Sequence, residues 1–186
     1  MRRIALVWLL ICGLAVSMTW SAELAGVTMD DQITVADETL VLNGMGLRKK
    51  LWIEVYVAGL YLPSSTSDAA AALASDGPKR VVMHFLTNKA TKKKMDAAWI
   101  EGFEANSPDS FGDLEARVRR FADFFGDMKV GDVIELTVLP GTGTSVVFND
   151  REKGVIEGDD FSTALLRVWL GDHPPTDDLK AGMLGG

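Results

Sequence analysis

Cysteine, histidine and long apolar runs are scarce in these 186 residues. The one cysteine, Cys12, falls inside an apolar N-terminal stretch, and Ile11 before it is too large for a lipoprotein cleavage site. The rest of the chain has no disulfide and no thiol chemistry, so its stability must come from packing. The two histidines, His84 and His173, have no cysteine and no second histidine near them in sequence. No metal site is expected, and no cofactor motif is found. The net charge of −7 argues against nucleic acid as a partner and against general adhesion to anionic membranes. Beyond the N-terminal stretch no apolar run is long enough to span a bilayer.

That stretch is itself informative. Arg2 and Arg3 give a positive start, Ile4 to Met18 is apolar, and Thr19-Trp20-Ser21-Ala22 offers small residues for cleavage. Residues 1–21 therefore read as a secretory signal peptide, with Thr19 at the −3 position. An uncleaved anchor is the alternative, although the run is short for a spanning helix. The expected location is periplasmic or secreted. Residues 22–186 are expected to form one domain with a sizeable core.

The chain is organised around Gly44-Met45-Gly46-Leu47-Arg48-Lys49-Lys50 and the twelve residues Leu51 to Leu62, of which only Glu54 is charged. A half-exposed strand alternates apolar and polar residues; this run is apolar on both parities, which predicts a strand covered on both faces. Asn43-Gly44 carries hairpin-turn chemistry. Arg48, at the mouth of the apolar element, is a candidate for gripping an anion, with an ordinary exposed arginine as the alternative. Tyr56 and Tyr61 have opposite parity and point to opposite faces, so only one of them can line a given pocket. Tyr56 can serve a site or simply belong to the core.

Flanking elements follow from pattern. Gln32 to Val35, Glu38 to Leu42, Lys79 to Leu86, Val133 to Leu139, Thr144 to Phe148 and Gly154 to Ile156 read as strands. Ser67 is placed to cap a short helix through Ser75, and a second helix is expected from Lys89 to Asn106. Leu114, Val118, Phe121 and Phe125 mark a third helix, capped by Asp109 or Asp113. Asp159 or Asp160 opens a fourth, Phe161 to Leu170, and Asp177 to Leu184 is the last. Gly141-Thr142-Gly143-Thr144 lacks the lysine and helix of a phosphate loop and reads as a hairpin. No nucleophile elbow occurs. Strands first, then helices and hairpins, point to α+β: an antiparallel sheet with a helical layer on one face.

Gly46-Leu47-Arg48 followed by Val55-Tyr56-Val57-Ala58-Gly59-Leu60-Tyr61-Leu62 resembles a strand pair of the chalcone isomerase family. Leu139 to Phe148 resembles that family's proline–glycine hairpin. Gly154-Val155-Ile156 and Ala164 to His173 resemble its closing strand and helix. The likeness runs over residues 27–185 and is nearest to the secreted bacterial chalcone isomerase-like branch. It implies an open-faced β-sandwich, and an arginine that steadies phenolate and enolate charge while hydroxyls and an amide add hydrogen bonds. Arg48 matches the arginine. Tyr56 stands where a threonine belongs, Thr91 near a tyrosine, Ala98 near an asparagine, and Val168 near a threonine or serine. Most of the hydrogen-bonding set is therefore replaced while the arginine stays.

The resemblance also implies non-catalytic relatives that bind fatty acids, with arginine on the carboxylate. The first expectation is thus a non-enzymatic binder of a small amphipathic or aromatic anion. Arg48 would hold the charge, Tyr56 would assist, and Trp52, Thr91, Ala98, Trp99 and Val168 would lie about the ligand. A weak or altered isomerase (an intramolecular lyase), with Arg48 and Tyr56 as its catalytic pair, is the alternative. A structural or accessory envelope protein is the third reading; protein partners are not specified.

Overall fold

The computed structural model describes residues 21–186. The expected signal peptide therefore lies outside the described residues except for Ser21, the first residue of a strand. The organising stretch folds as a hairpin of two long strands, β4 (Glu38–Lys50) and β5 (Ile53–Leu62). The chain runs through Asn43-Gly44 without turning, with only a bulge between Leu42 and Gly44. It reverses instead at Leu51-Trp52, where Leu51 has φ 57°.

Close approach, not a turn, explains the glycines. A Cβ on Gly46 would lie 2.1 Å from the Leu179 carbonyl oxygen, and one on Gly44 2.2 Å from that of Gly182. Both carbonyls belong to the C-terminal helix α5 (Asp177–Met183), which crosses β4 with no room for a side chain between. Asn43 is buried beside it and donates from Nδ2 to the Met183 carbonyl at 2.8 Å.

The remaining strands are β1 (Ser21–Leu24), β2 (Val27–Asp30), β3 (Gln32–Val35), β6 (Lys79–Phe85), β7 (Val133–Leu139), β8 (Gly143–Phe148) and β9 (Arg151–Glu157). From β3 to β9 they form one seven-stranded antiparallel sheet in chain order, so each strand pairs with its neighbours in sequence. Four further helices are α1 (Ala69–Ala74), α2 (Lys92–Asn106), α3 (Phe111–Ala122) and α4 (Asp159–Leu170). This is the expected α+β architecture with its helical layer.

Strand β5 is covered on both faces. Tyr56, Ala58, Leu60 and Leu62 join the main core with Phe85, Trp99, Phe103, Phe121 and Trp169. Val57 faces the reverse side, where the unforeseen β1–β2 hairpin lays Val27 and Met29 over it. Gly59 makes room there for the Met29 sulfur, and Tyr61 packs with Val35 and Leu40. Burying one Leu- or Phe-sized side chain contributes about 1.5–3 kcal/mol, so this two-sided strand anchors the fold.

Several helix starts differ from the pattern-based expectation. Asp68, not Ser67, caps α1, its carboxylate accepting from the Ala70 and Ala71 N–H groups. Helix α2 begins at Lys92, three residues late, because Thr91 is still extended. Ser110 precedes α3, and Gly158, at φ 102°, precedes α4. The aspartates assigned to that last cap work elsewhere: Asp159 accepts from the Gly141 N–H, and Asp160 pairs with Arg117.

Candidate functional site

The bulge between Arg48 and Lys49 sets the site. It leaves Arg48 directly opposite Tyr56 in the β4–β5 register, so both side chains rise on the helical side of the sheet. The guanidinium carbon stands 5.5 Å from the centroid of the Tyr56 ring, within cation–π range. Arg48 is half-buried and takes part in no ion pair among the described residues.

Tyr56 is buried, and its hydroxyl accepts a 3.1 Å hydrogen bond from Nε1 of Trp169. Burial pushes its pKa above the ordinary value; the Arg48 charge and the Trp169 bond pull the other way without overcoming it. Tyr56 is therefore a neutral phenol at physiological pH. Its lone pair takes the indole N–H, and its own proton remains available to an acceptor.

These two residues line a cavity of about 350 Å³ between the β4–β5 hairpin and helices α2 and α4. Met83, Met95, Ala98, Trp99, Gly102 and Val168 form its apolar wall, and Lys49, Lys50 and Glu101 its polar rim. Gly102 lets α2 and α4 close up, since a Cβ there would lie 2.9 Å from a Val168 methyl. Trp99 is buried edge-on to Trp169 and Phe121, with no acceptor for its Nε1 among the described residues. His173, Pro174 and Pro175 close one side. Asn106 pins that loop, donating to the His173 carbonyl and accepting from its N–H, both at 2.9 Å.

A second cavity of about 340 Å³ shares Arg48, Lys50, Met95, Ala98 and Glu101 with the first. Together they make one cleft with the arginine between its two arms. Each arm is at the lower end of the size range for small-molecule sites.

Of the residues singled out in the sequence, Arg48, Tyr56, Ala98, Trp99 and Val168 meet in the first cavity. Trp52 does not: it occupies the hairpin tip and is 81% exposed. Thr91 does not either: it is the extended residue before α2 and lines neither cavity. Met83, Met95 and the His173-Pro174-Pro175 loop are not among the expected site residues. The two methionines carry no sequence signal beyond an apolar side chain, and the loop's is a pair of prolines after a helix stop.

The model of the chalcone isomerase-like family matches residues 21–185. The chain belongs to that family. No curated protein matches this chalcone isomerase-like protein. Among solved structures it is similar to a fatty-acid binding protein of Arabidopsis thaliana, with a TM-score of 0.68 and 17% identity over 89% of this chain and 96% of that one. At that identity the likeness shows the shared fold alone. Among the described residues no helix is long and apolar enough to cross a membrane.

Proposed function

We propose that this chalcone isomerase-like protein is a non-catalytic binder of a small amphipathic anion, a fatty acid being the ligand class that suits it best. The observation that carries this reading is Arg48, a cation without a carboxylate partner among the described residues, standing over a cavity with an apolar wall. A guanidinium matches a carboxylate in bidentate fashion, Tyr56 has a proton to add, and the methionine and tryptophan walls suit an alkyl chain. The fold shared with a fatty-acid binding protein supports the same reading. The proposal includes a periplasmic or secreted location, on the strength of residues 1–21, and membership of the secreted bacterial branch.

The test is lipid extraction and native mass spectrometry of the purified protein, followed by displacement of a fluorescent fatty acid by palmitate. Arg48→Ala should weaken palmitate about 10- to 100-fold, since a hydrogen bond to a charged group contributes about 1.5–3 kcal/mol. No bound lipid, no measurable palmitate affinity and no effect of Arg48→Ala would reject the proposal.

A second reading, a weak isomerase acting on an enone, is favoured by the direct pairing of Arg48 with Tyr56. Ala98 and Val168 supply no side-chain hydrogen bond, however, and each absent donor removes about 3 kcal/mol of transition-state stabilisation. Loss of chalcone absorbance that depends on Arg48 would favour the enzyme.

A further inference from the structure

The large exposed apolar side chains of the described chain gather at one end of the molecule. Leu51 and Trp52, 79% and 81% exposed, form the tip of the β4–β5 hairpin; Val130, 67% exposed, lies between α3 and β7. Backbone hydrogen bonds fasten that connection to the end of β6 and the start of α2: Gly131 N–H to Phe85 O, and Met128 N–H to Ala90 O, both 2.9 Å. Leu51 in turn lines one cavity with Lys50, Lys89 and Lys94. Residues 49–54, 87–94 and 127–132 thus build a single end face.

Its charge is opposite to that of the chain. The three segments hold seven lysines against Glu54, Asp127 and Asp132, an excess of four on a protein of net −7, which Asp96 and Asp123, paired with Lys92 from outside them, reduce to two. Glu54 is already paired with Lys49 at 3.3 Å, and Asp127 accepts from the Lys92 backbone N–H at 2.7 Å. Lys92 pairs with Asp96 and Asp123. Lys50, Lys89, Lys93, Lys94 and Lys129 form no ion pair among the described residues.

The turn itself is unsuited to its shape. Two-residue hairpin loops favour Asn, Asp or Gly where φ is positive, yet Leu51 holds φ 57° with its side chain in solvent. Neither folding nor solubility calls for Leu-Trp at that position.

We propose that this end face docks on an anionic phospholipid bilayer, with Leu51 and Trp52 in the headgroup layer and the lysines on lipid phosphates. Tryptophan suits that boundary, with an apolar ring and one N–H to give. The overall negative charge does not forbid it. Ionic screening acts over about 8 Å, so carboxylates on distant faces are weak at the surface while the lysines touch it. The cavity beside Leu51 is lined in part by Lys50, Lys89 and Lys94 of the same face. The face thus shares Leu51 and these lysines with one arm of the cleft, but docking needs no ligand in it.

Hydrogen exchange of the full chain tests it, with phosphatidylglycerol vesicles against phosphatidylcholine vesicles. The apolar run Ile4 to Met18 can hold a vesicle by itself, so the readout is local. Amides of residues 49–53, 87–90 and 128–131 should slow with the anionic vesicles and recover at high salt. Leu51→Ser/Trp52→Ser should need about tenfold more lipid for half-maximal protection at 87–90. Each of Lys93→Gln and Lys129→Gln, which line neither cavity, should need about fivefold more. Vesicle-bound protein without protection at these segments, or no binding, overturns the proposal. Protection that grows with protein concentration in the absence of lipid also overturns it and assigns the face to a second copy. Palmitate affinity of Lys93→Gln and Lys129→Gln, read in parallel, should stay unchanged, because neither lysine lines the cleft.

Discussion

Trp169 reaches from α4 into the sheet and gives its indole N–H to the hydroxyl of Tyr56 at 3.1 Å. The same tyrosine lies opposite Arg48. One phenol therefore joins the helical layer, the sheet and the cation of the candidate site.

Tyr56→Phe should destabilise the protein by about 1–3 kcal/mol, because the buried Trp169 N–H loses its acceptor. Trp169→Phe alone should cost more, since it also leaves a gap in the core. The double variant should fall short of the sum by at least about 0.5 kcal/mol, as coupled neighbours do. Urea unfolding of the four proteins measures this; additive losses would show that the bond contributes nothing.

Alkaline pH should expose the two tyrosines. Tyr61 is raised to about 12, mainly by burial, and its hydroxyl donates to the Asp30 carbonyl at 2.9 Å. Tyr56 is raised too. The unfolded chain releases these protons near pH 10, before the native state does. Native stability is therefore full below pH 10 and declines as pH climbs toward about 12. Tyr61→Phe should flatten part of that decline relative to wild type, in urea titrations from pH 8 to 12. An unchanged slope would mean that Tyr61 titrates alike in both states.

Gly46→Ala should loosen α5. Its new methyl meets backbone, the Leu179 carbonyl, which cannot swing aside like a side chain. A penalty of about 1–3 kcal/mol is expected from overpacking. Hydrogen exchange should accelerate first in residues 177–186, while β7 and β8 stay protected. Uniform acceleration would instead indicate that α5 and the sheet open together.

The glycines also show where pattern reading succeeds and where it stops. The apolar density of β5 and the spacing of Leu114, Val118 and Phe121 identify a strand and a helix because burial imposes those periods. Gly44 was legible as special, but not why. Turn chemistry at Asn43-Gly44 and tertiary contact with α5 leave the same residue in the sequence. The real turn, Leu51-Trp52, has none of the usual residues, so Trp52 read as an inward aromatic. Helix starts slipped for a related reason. A cap depends on φ and on which N–H a side chain reaches, and Ser67 and Asp68 look equally able on paper. For the site, Arg48 and Tyr56 stood out by residue type. Their pairing depends on a bulge that no composition reveals, and Met83 and Met95 look like any core methionine.

Ala98 offers the sharpest separation of cleft from fold. It sits on α2, only partly buried, and lines both arms of the cleft beside Arg48. A large side chain there fills space that the folded protein does not otherwise use. Ala98→Trp should therefore lower palmitate affinity at least about tenfold while changing unfolding free energy by less than about 1 kcal/mol, as for a substitution outside the packed core. Arg48→Ala acts on the other half of the ligand. It should weaken palmitate more than the uncharged alcohol of the same chain length, whereas Ala98→Trp should weaken both alike. If Ala98→Trp spares palmitate while Arg48→Ala abolishes it, the anion is held at the rim and the alkyl chain lies elsewhere than between α2 and the β4–β5 hairpin.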